Sequence, residues 1–138
     1  MPNSSHIGRR YEAPGQVIDA ERAGAFARAI SGPGDGASAE DVPPTFAAAY
    51  CLFPTLALLF TDPDVEVNLA GLIHGEQSFE WPVPVHAGEV VDSSAEIVGV
   101  EEKRGMTFLT LDVESRRPAD GAVVCRGRSL MIIRGAPS

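Results

Sequence analysis

The stretch from Phe46 to Phe60, FAAAYCLFPTLALLF, carries no charge on any face. A helix that is apolar all round has no side to show to water, so this segment predicts an element enclosed on nearly every side. Pro54 falls inside it, and proline has no N–H to give to the carbonyl of Tyr50. The sequence therefore predicts a kink or a break at that point rather than one straight rod. The run is shorter than the roughly 20 residues that span a bilayer. It reads as the buried helix of a soluble protein, with no membrane partner.

The rest of the chain must supply the cover. A length of 138 residues fits a single domain, residues 1–138. After an extended piece around Tyr11 to Ile18, Asp19 offers an N-cap oxygen and Glu21 suits the positive end of a helix. Ala23, Phe26, Ala27 and Ile30 then recur at i, i+3, i+4 and i+7, one amphipathic helix closed by Ser31 and Gly32. A shortened Gly-rich loop, 31–42, leads to Pro43, Pro44 and Thr45 and so into the apolar run.

From Leu72 the period changes to two. Phe79, Trp81, Val83 and Val85 fall on one side of a strand and Glu80, Pro82 and Pro84 on the other, and the strand is expected to end near His86. Val91, Ala95 and Ile97 face inward against Asp92, Ser94 and Glu96. Glu101 to Gly105 make a turn, Leu109, Leu111 and Val113 alternate with Thr110, Asp112 and Glu114, and Pro118, Asp120 and Gly121 signal a hairpin before Val123 to Ile133. The predicted class is α+β: a curved antiparallel sheet of about five strands wrapped round a central apolar helix.

Composition removes several function classes. With 19 acidic and 11 basic residues the net charge is −8, which repels a phosphate backbone, so no nucleic-acid partner is expected. Cys51 and Cys125 sit in apolar surroundings without C-x-x-C spacing and read as buried thiols; no metal and no cofactor are implied. The N-terminus, MPNSSHIGRR, lacks the apolar stretch of a signal peptide, and a cytoplasmic location is expected. Arg116, Arg117, Arg126, Arg128 and Arg134 gather near the last hairpin. They suit either the phosphates of a coenzyme and an acidic carrier, or simply a solvated sheet face.

Three phrases carry a resemblance: GRRYEAPGQVIDAERAGAFARAIS at 8–31, VPPTF at 42–46 and LIHGEQSFEWPVPVHAGE at 72–89. Together they resemble the MaoC-like branch of the hotdog superfamily, and most of all its N-terminal or accessory half, the FAS1-like dehydratase domain of (R)-3-hydroxyacyl-thioester dehydratases. The chain departs from that pattern where Val83 stands in place of the usual Arg before Pro84 and where Glu89 replaces Asp. The resemblance implies two hotdog folds side by side, as a homodimer or as a heterodimer with a MaoC-like subunit. It also implies a tunnel for an acyl chain carried as a thioester on coenzyme A or an acyl carrier protein.

Active members of the resembled family use an Asp and a His from a phrase of the form S-G-D-x-N-P-x-H. Adding or removing water across C2 and C3 of a thioester needs one group to handle the water and another to exchange a proton with carbon. Here Ser31 and Gly32 match the start of the phrase, Pro33 replaces the Asp, and no His lies between His6 and His74. Asp41 and His74 are the remaining catalytic candidates, with Asp35 and Glu40 in the same loop. The plainer readings are a solvated loop and a hydrogen-bonded structural histidine. Tyr50, Gln77, Phe79 and Trp81 are the substrate-binding candidates, with core packing as the alternative for the aromatic residues. No Asp or Glu lies between Val42 and Thr61, which argues against a thioesterase with a helix-borne carboxylate. Two classes therefore stand: a substrate-holding subunit without the usual Asp/His motif, or a self-sufficient homodimeric dehydratase or thioesterase of fatty-acid or polyketide metabolism.

Overall fold

A computed structural model of the protein describes residues 1–31 and 42–135. Most of the expected loop, including Asp35, Glu40 and Asp41, lies outside the described residues. Five strands, β1 (Arg10–Val17), β2 (Leu72–Glu80), β3 (Val90–Lys103), β4 (Met106–Arg117) and β5 (Ala122–Arg134), form one antiparallel sheet in the order β1-β3-β4-β5-β2. Helix α1 (Ala20–Ser31) follows β1, with the Asp19 carboxylate accepting from the Glu21 N–H at 2.9 Å. The expected sheet around an apolar helical segment is the one observed.

Alternation along the strands decides which side meets the core. Val91, Ser93, Ala95 and Ile97 of β3, Leu109, Leu111, Val113 and Ser115 of β4, and Cys125, Ser129, Met131 and Ile133 of β5 are all buried. Each fully buried Leu or Ile removes enough apolar surface from water to contribute about 1.5–3 kcal/mol. The β3–β4 connection is tighter than the expected turn at 101–105. Lys103 pairs with Met106, and Arg104 and Gly105 between them have φ of 54° and 76°, the signature of a two-residue type I′ turn.

The central segment is broken, and in an informative way. Pro44–Phe46 is a single 3-10 turn, Ala48–Leu52 a π-turn, and Phe53–Phe60 an α-helix, α2, with Pro54 in its first turn. Pro54 leaves the Tyr50 carbonyl without its helical donor, and the Ser93 hydroxyl supplies one from β3 at 2.5 Å. Ser115 on β4 stands 2.7 Å from Ser93. Thr55, fully buried, donates to the carbonyls of Cys51 and Leu52. Ser93 and Thr55, polar residues at core positions, thus satisfy backbone groups released by the proline and the π-turn.

Three expectations are corrected. The central segment is not enclosed on nearly all sides: Leu56 and Leu59 are buried, but Phe53, Ala57 and Leu58 share a flank that faces outward, with Phe53 61% exposed. Ile30 of α1 is likewise exposed, because the helix buries its Ala23, Gly24 and Ala27 side instead. The strand expected to run to His86 stops at Glu80, since Pro82 and Pro84 have no N–H to continue the ladder.

Candidate functional site

The residues singled out on β2 lie on its core side through one irregularity. His74 pairs with Met131 and Gln77 with Ser129, while the register shifts between His74 and Glu76. Met131 and Ser129 point into the core, and cross-strand partners share a face. Strict alternation would put residues three apart on opposite faces. The bulge at Gly75 brings His74 and Gln77 to the same one. A side chain at Gly75 would press on Ile132, whose Cδ1 lies 3.0 Å from the Cβ position.

Gln77 is the hub of this face. Its Oε1 accepts from the Ser129 hydroxyl and lies 3.0 Å from His74 Nε2, while its Nε2 donates to the Ser78 carbonyl at 2.9 Å. Gly127 on β5 makes room: a Cβ there would stand 2.8 Å from Phe79 Cδ1 and 3.2 Å from Gln77 Nε2. Phe79 lies over that glycine and against Trp81, ring centroids 5.8 Å apart. Because β2 is an edge strand, His74 is exposed even though it faces the core side.

An aromatic row continues inward. Phe26 of α1 meets Phe46 at 5.6 Å, Phe46 meets Tyr50 at 6.3 Å, and the Tyr50 phenol faces Trp81 and Cys125. Trp81 is 40% exposed and Tyr50 3% exposed, so the row runs from solvent into the core. Burial, with the neighbouring thiols of Cys125 and Cys51, pushes the Tyr50 phenol far above its ordinary pKa and keeps it a neutral donor. Both cysteines are free and buried; the hydrogen bond with Cys51, together with burial, pushes the Cys125 thiol up.

The proline-rich segment after β2 is clamped from the far hairpin. Arg117 reaches Glu89 and Asp120, each at 2.8 Å, and its Nη1 lies 3.4 Å from the Pro84 carbonyl. That guanidinium, with the Ala122 N–H, holds the Asp120 carboxyl down at about 2. Glu89, a departure from the resembled family's pattern, is therefore the partner of Arg117.

Structure joins some candidates and leaves others apart. His74 and Gln77 touch, and Phe79, Trp81 and Tyr50 form a second group. Asp41 lies outside the described residues. Among the described residues no cluster of three His, Cys, Asp or Glu side chains is placed to hold a metal ion, and no helix is long and apolar enough to cross a membrane. Ser129 and Gly127 belong to the site and escaped the sequence reading, and Arg117, read there only as one of the clustered arginines, clamps its border. Ser129 had a signal, a hydroxyl at an inward position of β5; Gly75, a glycine inside a strand pattern, had another.

Of the other clustered arginines, Arg126 and Arg128 do not converge on this site. Arg126 and Arg128 lie on the opposite face of the sheet beside a groove of about 880 Å³, with Arg10, Glu96 and Asp112. Arg128 is engaged by Asp112 at 2.7 Å, and Arg10 by Glu96 at 3.0 Å and Glu12 at 3.1 Å. These pairs make a solvated, charge-matched sheet face.

Solved structures share this architecture. The C-terminally truncated HadBC (3R-hydroxyacyl-ACP dehydratase) complex of Mycobacterium tuberculosis superposes with a TM-score of 0.72 at 22% identity, covering 92% of this chain and 96% of that one. HtdX of the same organism gives 0.74 at 21% identity over 91% of this chain and 51% of its own. An (R)-hydratase from A. caviae involved in PHA biosynthesis gives 0.60 at 20% identity, over 94% and 97%. The fold is thus a hotdog of the MaoC-like dehydratase type. Among sequences, a UPF0336 protein of Thermobifida fusca is 30% identical over 148 residues, spanning 99% of this chain and 97% of that protein. The family described as FAS1-like, dehydratase domain region, matches residues 5–126, and the chain belongs to it.

Proposed function

We propose that this protein is a hotdog subunit that holds 3-hydroxyacyl or enoyl thioesters of coenzyme A or an acyl carrier protein, and that it works paired with a MaoC-like subunit carrying the Asp/His motif. The observation that carries the reading is the coexistence of a family match over residues 5–126 with Pro33 in place of the motif's Asp. The aromatic row from Trp81 through Tyr50 to Phe26 supports an apolar chain entering beside α2. Two features support pairing: the outward flank of Phe53, Ala57 and Leu58, and the unpaired edge of β2.

The test is hydration of crotonyl and longer 2-enoyl thioesters by the chain alone and after adding a partner that bears S-G-D-x-N-P-x-H. Turnover that requires the partner is the expected result. Brisk turnover by the chain alone that survives His74→Ala and Asp41→Ala overturns the subunit reading and its rival together. That rival, a self-sufficient homodimeric enzyme, is favoured by one observation, the hydrogen-bonded setting of His74, and predicts intrinsic turnover lost in His74→Ala.

A further inference from the structure

We infer that Ser129 and Gln77 are positioning residues that hold the neutral His74 ring as its Nε2–H tautomer, leaving Nδ1 as the atom through which this site accepts a proton. The argument begins at the backbone. The Gln77 amide nitrogen lies 2.9 Å from the Ser78 carbonyl, a contact only a donor can make favourably. With the amide so oriented, its oxygen faces both Ser129 and His74. An amide oxygen has no proton to give, so Ser129 must donate to it, and so must His74 through Nε2 at 3.0 Å. A neutral imidazole carries one N–H, and with Nε2 protonated the Nδ1 lone pair is open.

Three structural facts keep this arrangement in one geometry. Ser129 is fully buried, which fixes where its hydroxyl begins. The bulge at Gly75 puts His74 and Gln77 on one face, and Gly127 leaves the room that the Gln77 amide occupies. Among the described residues, none hydrogen-bonds Nδ1, and the ring is exposed on the edge strand. This is the orienting half of a general-base arrangement, with a neutral amide where a carboxylate is more usual.

The use of that base rests on the self-sufficient form of the thioester reading, whereas the tautomer does not. Nitrogen-15 NMR of the imidazoles in the whole chain, at alkaline pH, is expected to show Nε2 of His74 protonated and Nδ1 bare. Gln77→Leu and Ser129→Ala should release the ring to a mixture of tautomers. In a chain that hydrates enoyl thioesters by itself, Gln77→Leu should lower kcat by roughly tenfold or more with little change in KM. A wild-type His74 protonated on Nδ1 or averaging between tautomers, or one unchanged by Gln77→Leu, overturns the inference even if turnover is present. A locked ring in a chain that neither binds nor turns over thioesters, alone or with a partner, upholds the lock and overturns the thioester reading instead.

Discussion

Single side chains tie the first strand to the end of α2. The Asp62 carboxylate, at 8% exposure, accepts from the Tyr11 phenol at 2.7 Å and from Arg9 Nε at 2.9 Å, and its other oxygen accepts the Asp64 N–H at 3.0 Å. Burial pushes the carboxyl's pKa up, but the bonds from Tyr11 and the backbone, with the Arg9 charge, outweigh it and hold Asp62 below the usual range. Such a group binds fewer protons folded than unfolded. Its stabilisation is therefore complete above the unfolded pKa of about 3.9 and is lost as the pH falls through the lower folded value. Tyr11→Phe should cost about 1–3 kcal/mol at pH 7, by urea unfolding, and the gap from wild type should narrow in the same acid window. Ser93→Ala should cost about 1–3 kcal/mol at every pH, because the Tyr50 carbonyl then stays buried without a donor. Neither partnership was legible in the sequence, for each joins residues far apart in the chain whose contact depends on where the sheet lies against the helix.

At the scale of elements, glycines and turns set the register. The type I′ turn places Arg104 at φ 54°, a conformation Asn adopts more readily than Arg. Arg104→Asn should gain about 0.5–1 kcal/mol in denaturant midpoint comparisons. Gly127→Ala should act in the opposite sense, since its Cβ would meet the Ser78 carbonyl and the Phe79 ring; a loss of about 1–3 kcal/mol, with faster amide exchange along β2, is expected. The alternation of β3, β4 and β5 was readable because each strand has one buried face. The strand after Leu72 was harder: the apolar positions Phe79, Trp81, Val83 and Val85 keep a period of two past Glu80, although the prolines have already ended the ladder. The bulge was hidden for a related reason, as periodicity alone assigns His74 and Gln77 to opposite faces.

Across the whole molecule, the outward flank of α2 is the largest departure from an isolated domain. Phe53 is 61% and Leu58 39% exposed on a helix whose opposite side is fully buried. If this flank and the β2 edge form a subunit contact, Leu58→Glu should weaken self-association or partner binding by about tenfold or more in sedimentation equilibrium while leaving the thermal transition near wild type. An unchanged association constant would place the contact elsewhere. The absence of charge between Phe46 and Phe60 predicted complete enclosure, and one chain supplies only part of it.

The order of residues by itself determined the class of fold, because an uncharged helical run and four alternating strands leave few ways to hide apolar surface. It also determined the family, through phrases that fall on α1, the entry to the central segment and β2. Tertiary structure alone decided the local chemistry. A proline-released carbonyl finds Ser93 on a neighbouring strand, and a one-residue bulge turns His74 toward Gln77 and Ser129. Those outcomes depend on register, and register is settled by how the sheet packs on its helix rather than by any short stretch of sequence.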